Sequence, residues 1–123
     1  MAFSSVTLND GSVDHVYDPV NVAGSRVIYR DTTTSTLALP QTCEISHSEG
    51  SPTRPDRHLL KLSLTDDNTD GDKIETVTAH AVVSLPRAIV TRAQAENLIA
   101  QLKDALASAD IVDALLDGGF PTA

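Results

Sequence analysis

The sequence has no tryptophan, two tyrosines and two phenylalanines, so aromatic residues make up only 3% of it. Its core must therefore come from Leu, Val, Ile and Ala, and platforms on which nucleobases could stack are nearly missing. A single cysteine, Cys43, excludes an internal disulfide and any multi-cysteine zinc site. Cations are scarce as well: Lys+Arg 9 stand against Asp+Glu 17, a formal net charge of −8. That is the wrong sign for a general nucleic-acid binder, so any such contact must use a local surface with the acids placed elsewhere. No apolar run approaches the length of a membrane span. The opening Met1-Ala2-Phe3-Ser4-Ser5 lacks the basic and apolar regions of a signal peptide, so the expected place of synthesis and action is the cytosol. A nucleophile elbow, Walker loop, zinc-protease helix and paired-acid motif are all missing, and the four histidines form no recognisable triad spacing.

What is present fits one globular domain. The 123 residues are 41% hydrophobic, and a chain of this size buries roughly two-thirds of its unfolded surface, enough for one thin core. The first two-thirds alternate like strands. Phe3–Leu8 and Ser12–Tyr17 flank Asn9-Asp10-Gly11, a tight-turn signal, and so predict a hairpin that Asp18-Pro19 ends. Ser25–Arg30 predicts a third strand, and the Thr/Ser-rich stretch 31–36 a loop.

The next three strands are the most informative, because successive side chains of a strand point to opposite faces. In Thr42–Ser48, Thr42, Glu44, Ser46 and Ser48 share one face, and Cys43, Ile45 and His47 the other. After a turn at Gly50-Ser51-Pro52, Arg57–Thr65 sets His58, Leu60, Leu62 and Leu64 opposite Arg57, Leu59, Lys61 and Ser63. Ile74–Leu85 sets Val77, Ala79, Ala81, Val83 and Leu85 opposite Thr76, Thr78, His80, Val82 and Ser84. The pattern describes an antiparallel sheet with one apolar and one open, mostly polar face.

Beyond Pro86 the period becomes helical. Thr91 with Gln94 is a capping-box signature. Leu98, Leu102 and Leu106 then form a stripe, a break falls at 108–110, and Ile111 and Leu115 continue on a second helix that Gly118-Gly119 ends. The predicted fold is α+β: a single domain with hairpin and sheet over 1–86 and two helices over 91–118. Two short helices cannot cover a sheet face of this length, so a second copy is expected to supply the rest of the cover.

In this order and spacing the chain resembles the coat proteins of levivirus-type single-stranded RNA phages. The resemblance rests on Val6-Thr7-Leu8 before the turn, Thr42-Cys43-Glu44-Ile45-Ser46, Lys61-Leu62-Ser63-Leu64, Ala105-Leu106-Ala107-Ser108 and Ile111-Val112-Asp113-Ala114-Leu115. It spans essentially the whole chain. It implies an N-terminal β-hairpin, an antiparallel sheet of about five strands, and two C-terminal helices that clasp the partner in a dimer. The implied function is structural: dimers assemble in the bacterial cytoplasm into the icosahedral shell of the virion around genomic RNA, and in several members also repress translation through an RNA hairpin. The implied RNA-contacting positions are Lys61 on one strand, Thr42, Glu44 and Ser46 on its neighbour, and Thr78 and His80 on the next, with Val82 beyond them. Thr78 stands where familiar members carry a stacking Tyr, and Glu44 where they carry a small polar residue. Arg54 and Arg57 near the turn could add phosphate contacts. Leu98, Leu102, Leu106, Ile111 and Leu115 are the implied dimer contacts.

Two clusters invite a metal reading. Asp66-x-Asn68-x-Asp70-Gly71 echoes the start of a calcium loop, but Val77 stands where the closing Glu belongs. The stretch 66–73 reads better as an inter-subunit loop whose Asp66, Asp67, Asp70 and Asp72 meet near a symmetry axis and could share a divalent cation there. Cys43, His47 and His58 fall on the apolar face and read as packed core groups rather than metal ligands. No cofactor is expected. The rival readings are a dimeric ligand-binding module and a small enzyme, each using the open sheet face.

Overall fold

Six strands follow one another in chain order and pair in that same order, so the sheet is a continuous antiparallel meander: β1 (Val6–Asn9), β2 (Asp14–Ala23), β3 (Arg26–Asp31), β4 (Gln41–Ser48), β5 (Asp56–Asp67) and β6 (Ile74–Leu85). Two helices follow, α1 (Arg92–Ala107) and α2 (Ala109–Asp117). In this computed structural model, residues 3–33, 35–67, 73–86 and 91–121 are described. The chain divides into two compact units, Met1–Ser84 and Leu85–Ala123, which correspond to the sheet and the helices.

The hairpin between β1 and β2 is built by short side chains that replace backbone partners. The Asn9 side chain accepts from the Gly11 N–H at 2.7 Å, and the Asp10 carboxylate accepts from the N–H groups of Ser12 and Val13. The turn is therefore longer than the sequence suggested, and the second strand starts at Asp14 rather than Ser12. Asp18-Pro19, expected to end the strand, does not end it. β2 runs on to Ala23, and its pairing with β3 shifts register between Pro19 and Asn21. A bulge absorbs the donor that proline lacks, so the strand can continue through it.

The core of the sheet unit lies where β1 to β5 present one face. Tyr17, Tyr29 and Cys43 are buried, with Val6, Leu8, Val27, Ile45 and Leu62 packed against them. Two of the chain's four aromatic residues thus anchor this core, beside the aliphatic residues that the composition led one to expect. Gly50 closes the β4–β5 connection, where Ser51 and Arg54 form an isolated bridge. A Cβ at Gly50 would sit 2.3 Å from the Arg54 carbonyl oxygen, so only glycine fits this turn.

In the helical unit the expected signals are realised. Thr91 caps α1 in a reciprocal box with Gln94, Ser108 separates the two helices, and Gly118 ends α2 in a left-handed conformation. No residue of either helix is buried.

Candidate functional site

The pairing register decides which side chains share the open face. Glu44 lies opposite Lys61 on one side and Ile28 on the other. Thr42 lies between Arg30 and Ser63, Ser46 between Arg26 and Leu59, and Ser48 opposite Arg57. Directly opposed residues in antiparallel strands project to the same side. Thr42, Glu44, Ser46 and Lys61 therefore stand together, as expected. The Thr65 and Thr76 hydroxyls are 2.9 Å apart, which joins β6 to this face and, by alternation, brings exposed Thr78 and His80 onto it. Arg57 belongs to the face, whereas Arg54 is held in the turn.

Two residues escaped the sequence reading. Arg26 and Arg30 also project onto this face, because Val27, Tyr29 and Asp31 take the opposite one. Their signal was the alternation Arg26-x-Ile28-x-Arg30, legible once β3 is paired with β4. Over the paired stretch of β3 to β5 the face thus gathers Arg26, Arg30, Arg57 and Lys61 against the single carboxylate Glu44. An acidic chain has concentrated cations where no large core needs the space. Glu44 and Lys61 are neighbours across the strands, yet no ion pair joins them among the described residues. Lys61 is half-buried on this face. Neither Tyr17 nor Tyr29 reaches this face, since both are buried on the other. The surface can meet phosphate with charge and ribose or base edges with hydroxyls, and it offers no tyrosine platform for stacking.

Several shifted titrations lie elsewhere, in a network fastening the hairpin to β3. The His15 ring lies 2.6 Å from Asp31 through Nδ1 and 2.7 Å from Asp10 through Nε2. Those two carboxylates raise the His15 pKa, the bond to Asp10 most strongly, and His15 in turn holds the Asp10 carboxyl far below its usual range. Asp31 is 0% exposed and also accepts from the Thr33 N–H and hydroxyl. The stretch 31–36 expected as a loop therefore begins with the last, fully buried residue of β3. Asp18 is lowered by hydrogen bonds from Ser5 and Thr32.

The acidic stretch 66–73 is placed only in part. Asp66 and Asp67 are exposed at the end of β5, which runs two residues beyond the predicted Thr65. Asp70 and Asp72 lie outside the described residues. Among the described residues, no group of three or more His, Cys, Asp or Glu side chains is arranged to hold a metal ion. Cys43 is buried, and burial pushes its thiol pKa up. His47, however, is exposed and His58 only half-buried, so the expectation that both are packed core groups does not hold. The reason is positional: they oppose one another at the end of the β4–β5 ladder, beyond the reach of the tyrosine core.

The implied dimer contacts are conspicuously uncovered in one chain. Leu98 is 67% and Leu115 68% exposed; Leu102 and Leu106 are exposed too, and Ile111 is half-buried. On the apolar sheet face Leu60, Leu64 and Val77 are also exposed.

No family model and no curated protein matches the sequence. Solved structures do match over the full chain. One is the virus-like particle of bacteriophage AVE019, with a TM-score of 0.82 at 18% identity, covering 100% of both chains. A second is the coat protein of bacteriophage EMS014, at a TM-score of 0.77 and 18% identity, covering 99% of this chain and 100% of that one. A third is the virus-like particle of Beihai levi-like virus 21, at 0.73 and 19% identity over 100% of both chains. The chain has the fold of these levi-like phage coat proteins, with six strands in the sheet where about five were expected beside a hairpin.

Proposed function

We propose that the chain is the coat protein of a small single-stranded RNA phage, a structural protein rather than an enzyme. Dimers build a closed shell in the bacterial cytoplasm and become the wall of the virion. The supporting observation is that a fold shared end to end with chains solved as virus-like particles is combined here with two oppositely constructed surfaces. The exposed leucines of α1 and α2 and the bare part of the apolar sheet face suit a partner subunit, since apolar patches of this extent seldom stay in water. The opposite face, with Arg26, Arg30, Arg57 and Lys61, suits RNA lining the inside of a shell. Thr42, Ser46, Thr78 and His80 add polar contacts, and Glu44 limits the charge. Asp66 and Asp67 begin the acidic segment proposed to lie between subunits, where a divalent cation would relieve repulsion.

Expression of the chain alone tests the reading. Electron microscopy should show closed particles of uniform diameter carrying host RNA. Soluble dimers that never assemble, under any salt or RNA condition, would favour a ligand-binding module and defeat the capsid proposal.

A further inference from the structure

His47 and His58 oppose each other across β4 and β5, at the end of the ladder next to the Gly50 turn. Their Nδ1 atoms are 2.8 Å apart, and the rings meet edge to face at 67° with centroids 5.0 Å apart. The two nitrogens lie nearly on the line between the rings, as in an imidazole–imidazole hydrogen bond, and a shared ion would need the rings to turn slightly toward one side. Without a cation, one ring must donate its N–H to the lone pair of the other. With a cation, both lone pairs can be used at once. Two imidazole nitrogens bound at about 2.0–2.1 Å, with angles between square and tetrahedral, lie roughly 2.9–3.3 Å apart. The observed separation needs only a few tenths of an ångström of opening.

Both rings line an open cavity of about 480 Å³ together with Ser25, Ser48, Glu49 and Asp56. The carboxylates of Glu49 and Asp56 stand on its wall, and Asp56 accepts from the Gly50 N–H at 2.7 Å. The frame is stiff, because the β4–β5 ladder pairs without interruption from Gln41↔Leu64 to Ser48↔Arg57. In the single chain His47 is exposed, so an ion can reach the pair from solvent.

We infer that His47 and His58 form a two-histidine chelate for a divalent transition ion such as Zn²⁺, Ni²⁺ or Cu²⁺, clipping β4 to β5. No third protein ligand is arranged to join them among the described residues, so water completes the coordination. Imidazole nitrogens select these ions over Ca²⁺ and Mg²⁺, which take oxygen ligands. The site therefore differs in chemistry and place from any cation held by the acidic stretch 66–73, and it does not depend on the capsid reading.

Calorimetric titration of Zn²⁺ and Ni²⁺ into the purified protein at about pH 7.5 tests it. Binding of one ion per chain is expected, together with a metal-dependent rise in melting temperature that Ca²⁺ and Mg²⁺ do not reproduce. His47→Gln and His58→Gln should each weaken binding by more than the roughly 10–100-fold lost when a mere outer-shell partner is removed. Circular dichroism of the metal-free variants checks that they fold. Should either fail to fold, Cu²⁺ added to the parent protein should still give the visible absorption of imidazole-bound copper. A parent protein that takes up neither Zn²⁺ nor Ni²⁺ overturns the inference, as do folded variants that bind like the parent.

Discussion

The sheet and the helices of this chain solve the problem of burial in opposite ways. Where β1 to β4 meet, one chain suffices: Tyr17, Tyr29 and Cys43 are buried, and Asp31 is satisfied by His15 and Thr33. In α1 and α2 the caps are complete and the stripe is regular, yet nothing is buried. Local helix signals and burial are thus separate matters. Most helical stability in proteins comes from packing of the apolar face, so a well-capped helix with a bare stripe calls for another surface.

The largest effect that bears on this difference is expected at Leu102. The stripe is exposed in one chain, but against the proposed partner a charge in it would cost the lost packing, about 2–5 kcal/mol for truncation alone, and add an unpaired buried carboxylate. Leu102→Asp should therefore abolish soluble dimers and particles, as read by size-exclusion chromatography. Recovery of a well-folded monomer, or of normal particles, would show that the helices need no partner. A substitution to Ala at the exposed Glu96, off the stripe and paired with Arg92 on the surface, should by contrast leave assembly intact.

A second effect separates the two sheet faces. Lys61→Glu should leave the dimer folded but lower the RNA content of particles, read as the ratio of absorbance at 260 and 280 nm. Arg30→Glu should do the same, since Arg30 stands on the same face two strands away. Glu44→Gln should raise RNA content slightly by removing the only carboxylate in the paired stretch. With so few cations available, the salt dependence of binding should be shallow for an RNA binder. Unchanged RNA load in both charge reversals would move packaging off this face.

Much of this was legible in the sequence because one face of each central strand is apolar. The alternation in 42–48 and 57–65 fixed which residues stand together, and a one-residue slip would have inverted every assignment. Thr91, Gln94 and Gly118 were legible because capping is local. Pro19 was misread because a bulge depends on the partner strand, and Arg26 and Arg30 were passed over because their face shows only after β3 is paired with β4. Asp31 looked like the start of a polar loop, and nothing in its neighbours announces that His15, 16 residues earlier, will reach it. Long-range polar pairing leaves no periodic trace.

That pairing supplies the smallest predicted effect, and it asks whether the completed half of the sheet is held by packing alone. His15 bridges Asp10 in the hairpin turn and Asp31 at the end of β3, and its pKa is raised above the ordinary 6.5. A group raised on folding adds stability that is fully present below its unfolded value and is lost as pH rises through the folded value. Asp10 and Asp18 are lowered from the ordinary 3.8, so their contribution is present above that value and fades as pH falls below it. The two trends leave a plateau between these ordinary values, with a decline on the alkaline side owed to His15. The ring stays hydrogen-bonded when neutral, but it can then donate to only one of the two carboxylates. Urea unfolding followed through Cys43 labelling reads the opening of this core directly, because the thiol is 1% exposed. In the parent protein, protection should weaken modestly as pH rises above the ordinary histidine value of 6.5, because His15 holds its proton beyond it. In His15→Gln it should be lower at pH 6 and nearly flat above it. Labelling is itself faster at alkaline pH because the thiolate is the reactive form, so each rate must be referred to the fully unfolded chain at the same pH. A parent profile as flat as that of His15→Gln would mean that tyrosine packing alone holds the hairpin to the sheet.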